Sequence, residues 1–430
     1  MDRDADPQLD AMGKELVAST PGLANDSEET LNKLADETNE FLPPCWCCKT
    51  TLCDCSSPHP FKMRLVDQIG ACYMWWAGAY VDSQGNSNFS RDRWENLREG
   101  SRVPPVPKEE AINGVYSVDE QIDDADGGEM TVRVYLHTEK QDPAAPPRPV
   151  LIYFHGGGFC INHQDSGGMD NLCLEYAQQG FVVLSMDYRL APEFPFPTGL
   201  RDAFQTIRWA KTIGRGILGD DCDLDGKLVL SGDSSGGNFA LVIASLLRDG
   251  LDADLRPNEF PQLRAQHLVL IYPALYYIPD VGDIEIQDTH YVLTRPTLAF
   301  FVDSYVPGGV EERKKALQDR RLSPLVAGIE GLPRCTVVTA SDDALRPTGE
   351  KLIELLEEAD MPVKPIRANA THGFIVHQFL EEAVRCKQEI FDDLAYLVGD
   401  QPEDEEVENT SSEESEEEDD DASVDDAVEN

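Results

Sequence analysis

The stretch "LVLSGDSSGGN", residues 228–238, decides how the rest of this 430-residue chain is read. An apolar run leads into Gly232, Asp233, two adjacent serines and two glycines, and a helix-like segment follows. A buried strand, a tight turn and a helix fit that order. Gly232, Asp233, Ser234, Ser235 and Gly236 fit Gly-x-Ser-x-Gly, in which a sharp strand-to-helix turn lifts one serine hydroxyl above a sheet. The glycines two residues to either side give the turn room, and only Ser234 has both. Ser235 takes another post: its backbone N–H, at the mouth of the helix, can donate to a developing oxyanion. The five-residue pattern also recurs by chance in long proteins, so its surroundings carry the reading.

"FHGGGF", residues 154–159, directly follows the apolar "VLIYF". Consecutive glycines leave backbone N–H groups unobstructed, which makes Gly156 and Gly157 the expected second half of an oxyanion hole. A phosphate cradle is the competing reading, but neither Gly-Lys-Ser/Thr nor Gly-x-Gly-x-x-Gly follows. A serine of ordinary pKa needs a base, and the base needs an orienting carboxylate. "CTVVTASDDALRP" places Asp342 and Asp343 just past a strand, and "VKPIRANATHGF" places His372 in a loop past the next. His377 falls toward the following helix and is set aside. His137, His267 and His290 lie in or beside strands or an insert, where a hydrogen-bonded structural histidine is the ordinary case.

Between these motifs the chain alternates. Val115 to Ile122 and Met130 to Leu136 read as a hairpin around "DDADGG". Apolar strands ("VLIYF", "VVLSM", "LVLS", "HLVLIY", "CTVVTA", "VKPIRA") are then separated by helices starting near Asp170, Thr198, Gly236, Thr348 and Phe379. That alternation predicts an α/β fold: a mostly parallel twisted sheet with helices on both faces and ligands outside the carboxyl ends of the strands.

"HGGGF", "DYRLAPEFPFP", "GDSSGGN", "SPLVAGIEGLP", "DDALR" and "HGF" follow one another in unbroken order over residues 150–398. In that order they resemble the hormone-sensitive-lipase-like esterases, a branch of the α/β-hydrolases. The resemblance implies an α/β-hydrolase fold with an N-terminal helical cap. It implies a triad of Ser234, Asp343 and His372, with the family's Asp-x-Leu-Arg selecting Asp343 over Asp342. The implied reaction is hydrolysis of a small-molecule ester with a short- to medium-chain acyl or aryl group, through an acyl-enzyme, with no cofactor and no metal. Three departures stand out: Ser235 where alanine is usual, Ala344 where proline is usual, and Phe194 where histidine is common. The first keeps the backbone donor. Receptors similar to this family lack the histidine, and its presence here at His372 implies an enzyme. Amide or formamide hydrolysis by the same triad, and a non-catalytic small-molecule receptor, remain the alternatives.

Outside this region the composition changes. Residues 1–60 are polar and acidic, with Cys45, Cys47, Cys48, Cys53 and Cys55 crowded too densely for a zinc ribbon; acylation, redox pairing or a loop without a role stay open. Phe61, Leu65, Ile69, Tyr73 and Trp76 share one helical face, and the resemblance implies that residues 61–110 form a helical cap together with an insert at about 277–321. Trp75, Trp76 and Tyr276 are candidate pocket walls, with a place in the core the equal alternative. Residues 401–430 contain sixteen acidic and no basic residues, so the segment from about 399 onward reads as a disordered tail. The chain carries a net charge of −44, and the tail accounts for −16 of it. The remainder still argues against nucleic acid or anionic lipid as main partner. With no run long enough to span a bilayer and no signal peptide, a cytoplasmic location is expected. A homodimer stays open, as does a basic partner for the tail.

Overall fold

The computed structural model describes residues 102–399, apart from 143, 220, 251–260, 276–292, 294 and 317. The cysteine cluster, most of the expected N-terminal cap, Trp75, Trp76, Tyr276 and the acidic tail therefore lie outside the described residues.

Eight strands form one sheet: β1 (Val115–Asp123), β2 (Glu129–His137), β3 (Arg148–Phe154), β4 (Val182–Met186), β5 (Cys222–Asp233), β6 (Ala265–Ile271), β7 (Arg334–Asp342) and β8 (Val363–Thr371). Their order is β1-β2-β4-β3-β5-β6-β7-β8. The β1–β2 hairpin and the β2–β4 pair are antiparallel, and every later pairing is parallel. This is the architecture of an α/β hydrolase.

The helices are α1 (Gly167–Gln178), α2 (Thr198–Lys211), α3 (Ser235–Asp249), α4 (Arg295–Tyr305), α5 (Val310–Ala316), α6 (Arg346–Glu358) and α7 (Glu381–Val398). Successive residues of β3 point to opposite faces, and both faces are covered. Val150, Ile152 and Phe154 join a core with Leu200, Phe204, Phe239 and Leu352, from α2, α3 and α6. Leu151 and Tyr153 join another with Leu172, Tyr176, Ile390 and Leu394, from α1 and α7. A strand buried on both sides must be apolar throughout, which is why "VLIYF" shows no polar alternation.

The chain runs from β3 outward to β4, then crosses to β5 on the other side of β3. At such a reversal the two connections leave in opposite directions and open a crevice at the carboxyl ends of the strands. The loop after β3 and the turn after β5 meet there. Residues 295–321 of the expected insert supply α4 and α5. Residues 102–110, the described end of the expected N-terminal cap, contain only the short turn Lys108–Glu110. Among the described residues no helix is long and apolar enough to cross a membrane.

The antiparallel edge is fastened by a buried charge. Arg133 of β2 is fully buried, forks onto both carboxylate oxygens of Asp119 at 2.7 and 2.8 Å, and donates to Asp170 Oδ1 of α1 at 2.8 Å. The Tyr135 hydroxyl donates to the same Asp170 oxygen at 2.6 Å. Removing one member of a buried pair strands the other without water, at a cost of about 3–5 kcal/mol. Arg133→Ala is accordingly expected to lower the unfolding free energy by that order in urea denaturation. A loss below about 1 kcal/mol would mean that Asp170 is solvated in the native state.

Candidate active site

β5 ends at Asp233 and α3 begins at Ser235, so Ser234 alone makes the turn. Its backbone stands at φ 53°, ψ −118°, a conformation that side chains rarely adopt. The surroundings enforce it. Ser234 N–H donates to Ile271 O at 2.9 Å, and its carbonyl accepts from Ala274 N–H at 3.1 Å. A Cβ on Gly236 would stand 1.8 Å from Phe154 O, and one on Gly232 would stand 2.4 Å from the Gly236 carbonyl carbon. Both positions must be glycine for the helix to start this close to β3.

His372 follows β8 and Asp343 follows β7, and both side chains are buried. His372 Nε2 lies 3.0 Å from Ser234 Oγ, and His372 Nδ1 lies 2.8 Å from Asp343 Oδ2. The other Asp343 oxygen accepts the Leu345 N–H at 2.8 Å, which fixes the carboxylate's rotation. Ser234, Asp343 and His372 are thus brought together; Asp342 instead pairs with Thr371 in the sheet. His377 ends the short turn after Phe374 and packs on Phe379, away from this chain of hydrogen bonds. His137 and His267 bond Phe181 O and Thr336 Oγ1, as structural histidines do, and His290 lies outside the described residues.

The loop after β3 corrects one expectation. The Gly156 N–H donates to Asp233 Oδ1 at 2.7 Å, so it is already committed and has no hydrogen to offer an oxyanion. Asp233 also accepts the Tyr153 hydroxyl at 2.7 Å. Burial raises the Asp233 carboxyl above its ordinary value, while these two donors pull it back. Among the described residues, the N–H groups of Gly157, Gly158 and Ser235 have no acceptor. The free pair is displaced by one residue along the loop, from Gly156 and Gly157 to Gly157 and Gly158. Their φ values of +119° and +60° demand glycine. The motif itself assigns Asp233 no role, although an acidic residue closing an apolar strand is a signal that it must find buried donors.

Ser234, Ser235 and Gly158 border a cavity of about 60 Å³, walled largely by Phe159, Leu298, Phe301, Val302 and Tyr305. Its last four residues come from α4, spaced so that one helix face closes the crevice. Among the described residues no group of three or more His, Cys, Asp or Glu side chains is arranged to hold a metal ion.

Sheet order, elbow and the Ser-His-Asp arrangement define the class of α/β hydrolases. The sequence pattern of the alpha/beta hydrolase fold family matches residues 151–376, more than half of the chain, and the chain belongs to that family. Among curated relatives, Lipase 2 of Moraxella sp. is 29% identical over 62% of this chain and 65% of its own length. The carboxylic ester hydrolase LipN of Mycobacterium tuberculosis is 31% identical over 53% of this chain and 57% of its own. The chain therefore spans roughly three-fifths of the length of these two relatives. A solved esterase of Pyrobaculum calidifontis is 30% identical, with a TM-score of 0.54 over 65% of this chain and 85% of its own.

His155, beside these glycines, is fully buried and stacked on Tyr188 with ring centroids 4.2 Å apart. Its Nδ1 lies 2.9 Å from Gly156 O, and burial lowers its pKa from 6.5 to about 4, with Asp187 opposing and His163 adding to that shift. Between those two values the unfolded chain binds a proton that the native protein does not. Stability is therefore lost as pH falls from 6.5 through 4, by up to about 3 kcal/mol from this group. Unfolding free energies of wild type and His155→Asn measured from pH 7 to pH 4.5 should show the shallower decline in the variant. Equal slopes would mean that His155 does not titrate with unfolding.

Proposed function

We propose that this protein hydrolyses carboxylic esters with short acyl groups through a serine acyl-enzyme. The carrying observation is the unbroken hydrogen-bond chain from Asp343 Oδ2 through the His372 ring to Ser234 Oγ, at 2.8 and 3.0 Å. Ser234 Oγ attacks the ester carbonyl carbon while His372 Nε2 takes its proton. Asp343 holds the proton on Nδ1 and stabilises the imidazolium that forms. The carbonyl oxygen becomes an oxyanion, for which the N–H groups of Gly157, Gly158 and Ser235 are the donors. Collapse of the tetrahedral intermediate breaks the bond to the alkoxy group, which leaves as the alcohol with the proton from Nε2. Water, deprotonated by the same imidazole, then attacks the acyl-enzyme. The carboxylic acid departs and Ser234 regains its proton.

The cavity sets the acyl group. About 60 Å³ of space holds roughly four or five water-sized atoms, and its walls are mostly apolar. That suits an acetyl to butyryl chain and disfavours a long one. A carboxylesterase of Mycobacterium tuberculosis and an ethyl acetate hydrolase of Pseudomonas putida, both relatives of this chain, support the same reading.

On p-nitrophenyl acetate, Ser234→Ala and His372→Ala are expected to remove turnover by several orders of magnitude with the fold intact by circular dichroism. Asp343→Asn should cost on the order of 10⁴-fold in kcat, since the amide stabilises the wrong imidazole tautomer. A fluorophosphonate should label wild type and not Ser234→Ala. Labelling that survives the substitution, or an Asp342→Asn variant that fails where Asp343→Asn does not, would refute the triad.

Phe301 sets the depth of the pocket, because its ring occupies the space over Gly158. Truncation to alanine removes that wall. Across p-nitrophenyl esters from C2 to C8, Phe301→Ala should move the kcat/KM optimum toward longer chains by two or more carbons. An unchanged optimum would place the acyl chain elsewhere.

A further inference from the structure

Both neighbours of the nucleophile reach across to the loop after β3. On one side, Asp233 Oδ1 accepts the Gly156 N–H at 2.7 Å. On the other, Ser235 Oγ accepts the Phe159 N–H at 3.2 Å. The Tyr188 O–H donates to His155 O at 2.8 Å. The loop is therefore pinned at His155, Gly156 and Phe159. Gly157 and Gly158 lie between the pins, and theirs are the loop amides left for an oxyanion.

Phe159 needs the restraint. Its φ of +65° is left-handed, which a bulky residue adopts only when its environment imposes it. Its carbonyl accepts the Ala191 N–H at 2.9 Å, and its ring stacks on Tyr305 at 3.8 Å. The Ser235 hydroxyl is the partner of its N–H. We propose that the Ser235 side chain is a positioning residue: by holding the Phe159 N–H, it fixes the Gly157 and Gly158 amides at their distance from Ser234 Oγ. This role is separate from that of the Ser235 backbone N–H, and it rests on the esterase reading above.

Donors of an oxyanion hole act on charge that exists only in the transition state. A slackened loop should therefore lower kcat and leave substrate binding alone. Ser235→Ala keeps the backbone donor and removes the strut. On p-nitrophenyl acetate its kcat should fall roughly 3- to 10-fold, the range that one neutral hydrogen bond carries, with KM within about twofold of wild type.

A second measurement reads the oxyanion directly. A short-chain trifluoromethyl ketone adds Ser234 Oγ to its carbonyl carbon, and the hemiketal oxygen occupies the hole. In Ser235→Ala its affinity should fall in step with kcat, and the hemiketal pKa, followed by fluorine NMR, should rise. The matching methyl ketone, which stays largely unreacted, should bind both proteins alike. Unchanged kcat and unchanged trifluoromethyl ketone affinity would overturn the proposal. So would equal weakening of both ketones, because that marks a packing defect in the pocket. Ser234→Ala runs beside them: turnover in that variant would bring down the esterase reading and the strut with it, whereas a dead Ser234→Ala beside a wild-type Ser235→Ala removes the strut alone.

Discussion

Gly236 comes so near to Phe154 that a Cβ would stand 1.8 Å from the phenylalanine's carbonyl oxygen, and this backbone contact governs the geometry of the site. It joins the first turn of α3 to the end of β3 with no side chain between them. With the helix held there, the single residue connecting it to β5 has no relaxed conformation available. Ser234 takes φ 53°, ψ −118° because the alternative is to separate α3 from the sheet, and with it the core that Phe239, Leu241 and Ile243 help to fill. Packing across a whole layer thus sustains a strained residue that local propensity would reject.

The same contact explains why the glycine loop after β3 and Ser234 can share one crevice. β3 and β5 are neighbours and parallel, in register through Phe154 and Gly232. Their carboxyl ends therefore stop side by side, and the reversal of strand order leaves the space above them open. Two strands further along, β7 and β8 deliver Asp343 and His372 to the same edge. Both carboxylates in this low-dielectric setting have partners. Asp343 is held by His372 and the Leu345 N–H, and Asp233 by Tyr153 and the Gly156 N–H. Unpartnered, any of these carboxylates would cost several kcal/mol to bury.

The strands and the tight turn between β5 and α3 were readable in the sequence, because each is written in residue types at fixed spacing. Gly232 and Gly236 mark the turn and unbroken apolar runs mark doubly covered strands, whereas spacing alone leaves Asp342 and Asp343 open and only the family resemblance separates them. The identity of the free amides was not readable. "HGGGF" announces exposed N–H groups without saying which of them another part of the chain has already used. The answer depends on where Asp233 points, a tertiary fact about a residue eighty positions away in sequence from Tyr153. Ser235 shows the same limit: its backbone role follows from position, but its hydroxyl's contact with Phe159 follows only from how two loops meet.

α4 draws these features into one unit. Phe301 fills the space over Gly158 so completely that a Cβ there would stand 2.2 Å from the ring, while Tyr305 stacks on Phe159 at the loop's end. The helix that bounds the cavity therefore also bears on the loop that lends its amides. A chain of contacts runs from Tyr305 through Phe159 to Ser235, and from there one residue back to Ser234. Side chains packed at interior density cannot shift singly, so on the esterase reading proposed above a displacement of α4 by a bulky acyl group would be felt at the Gly157 and Gly158 N–H groups. On that reading, acyl length and oxyanion stabilisation would be coupled through shared atoms. A chain too long for the pocket would suffer in kcat as well as in KM, because the helix it pushes against also keeps the loop in place.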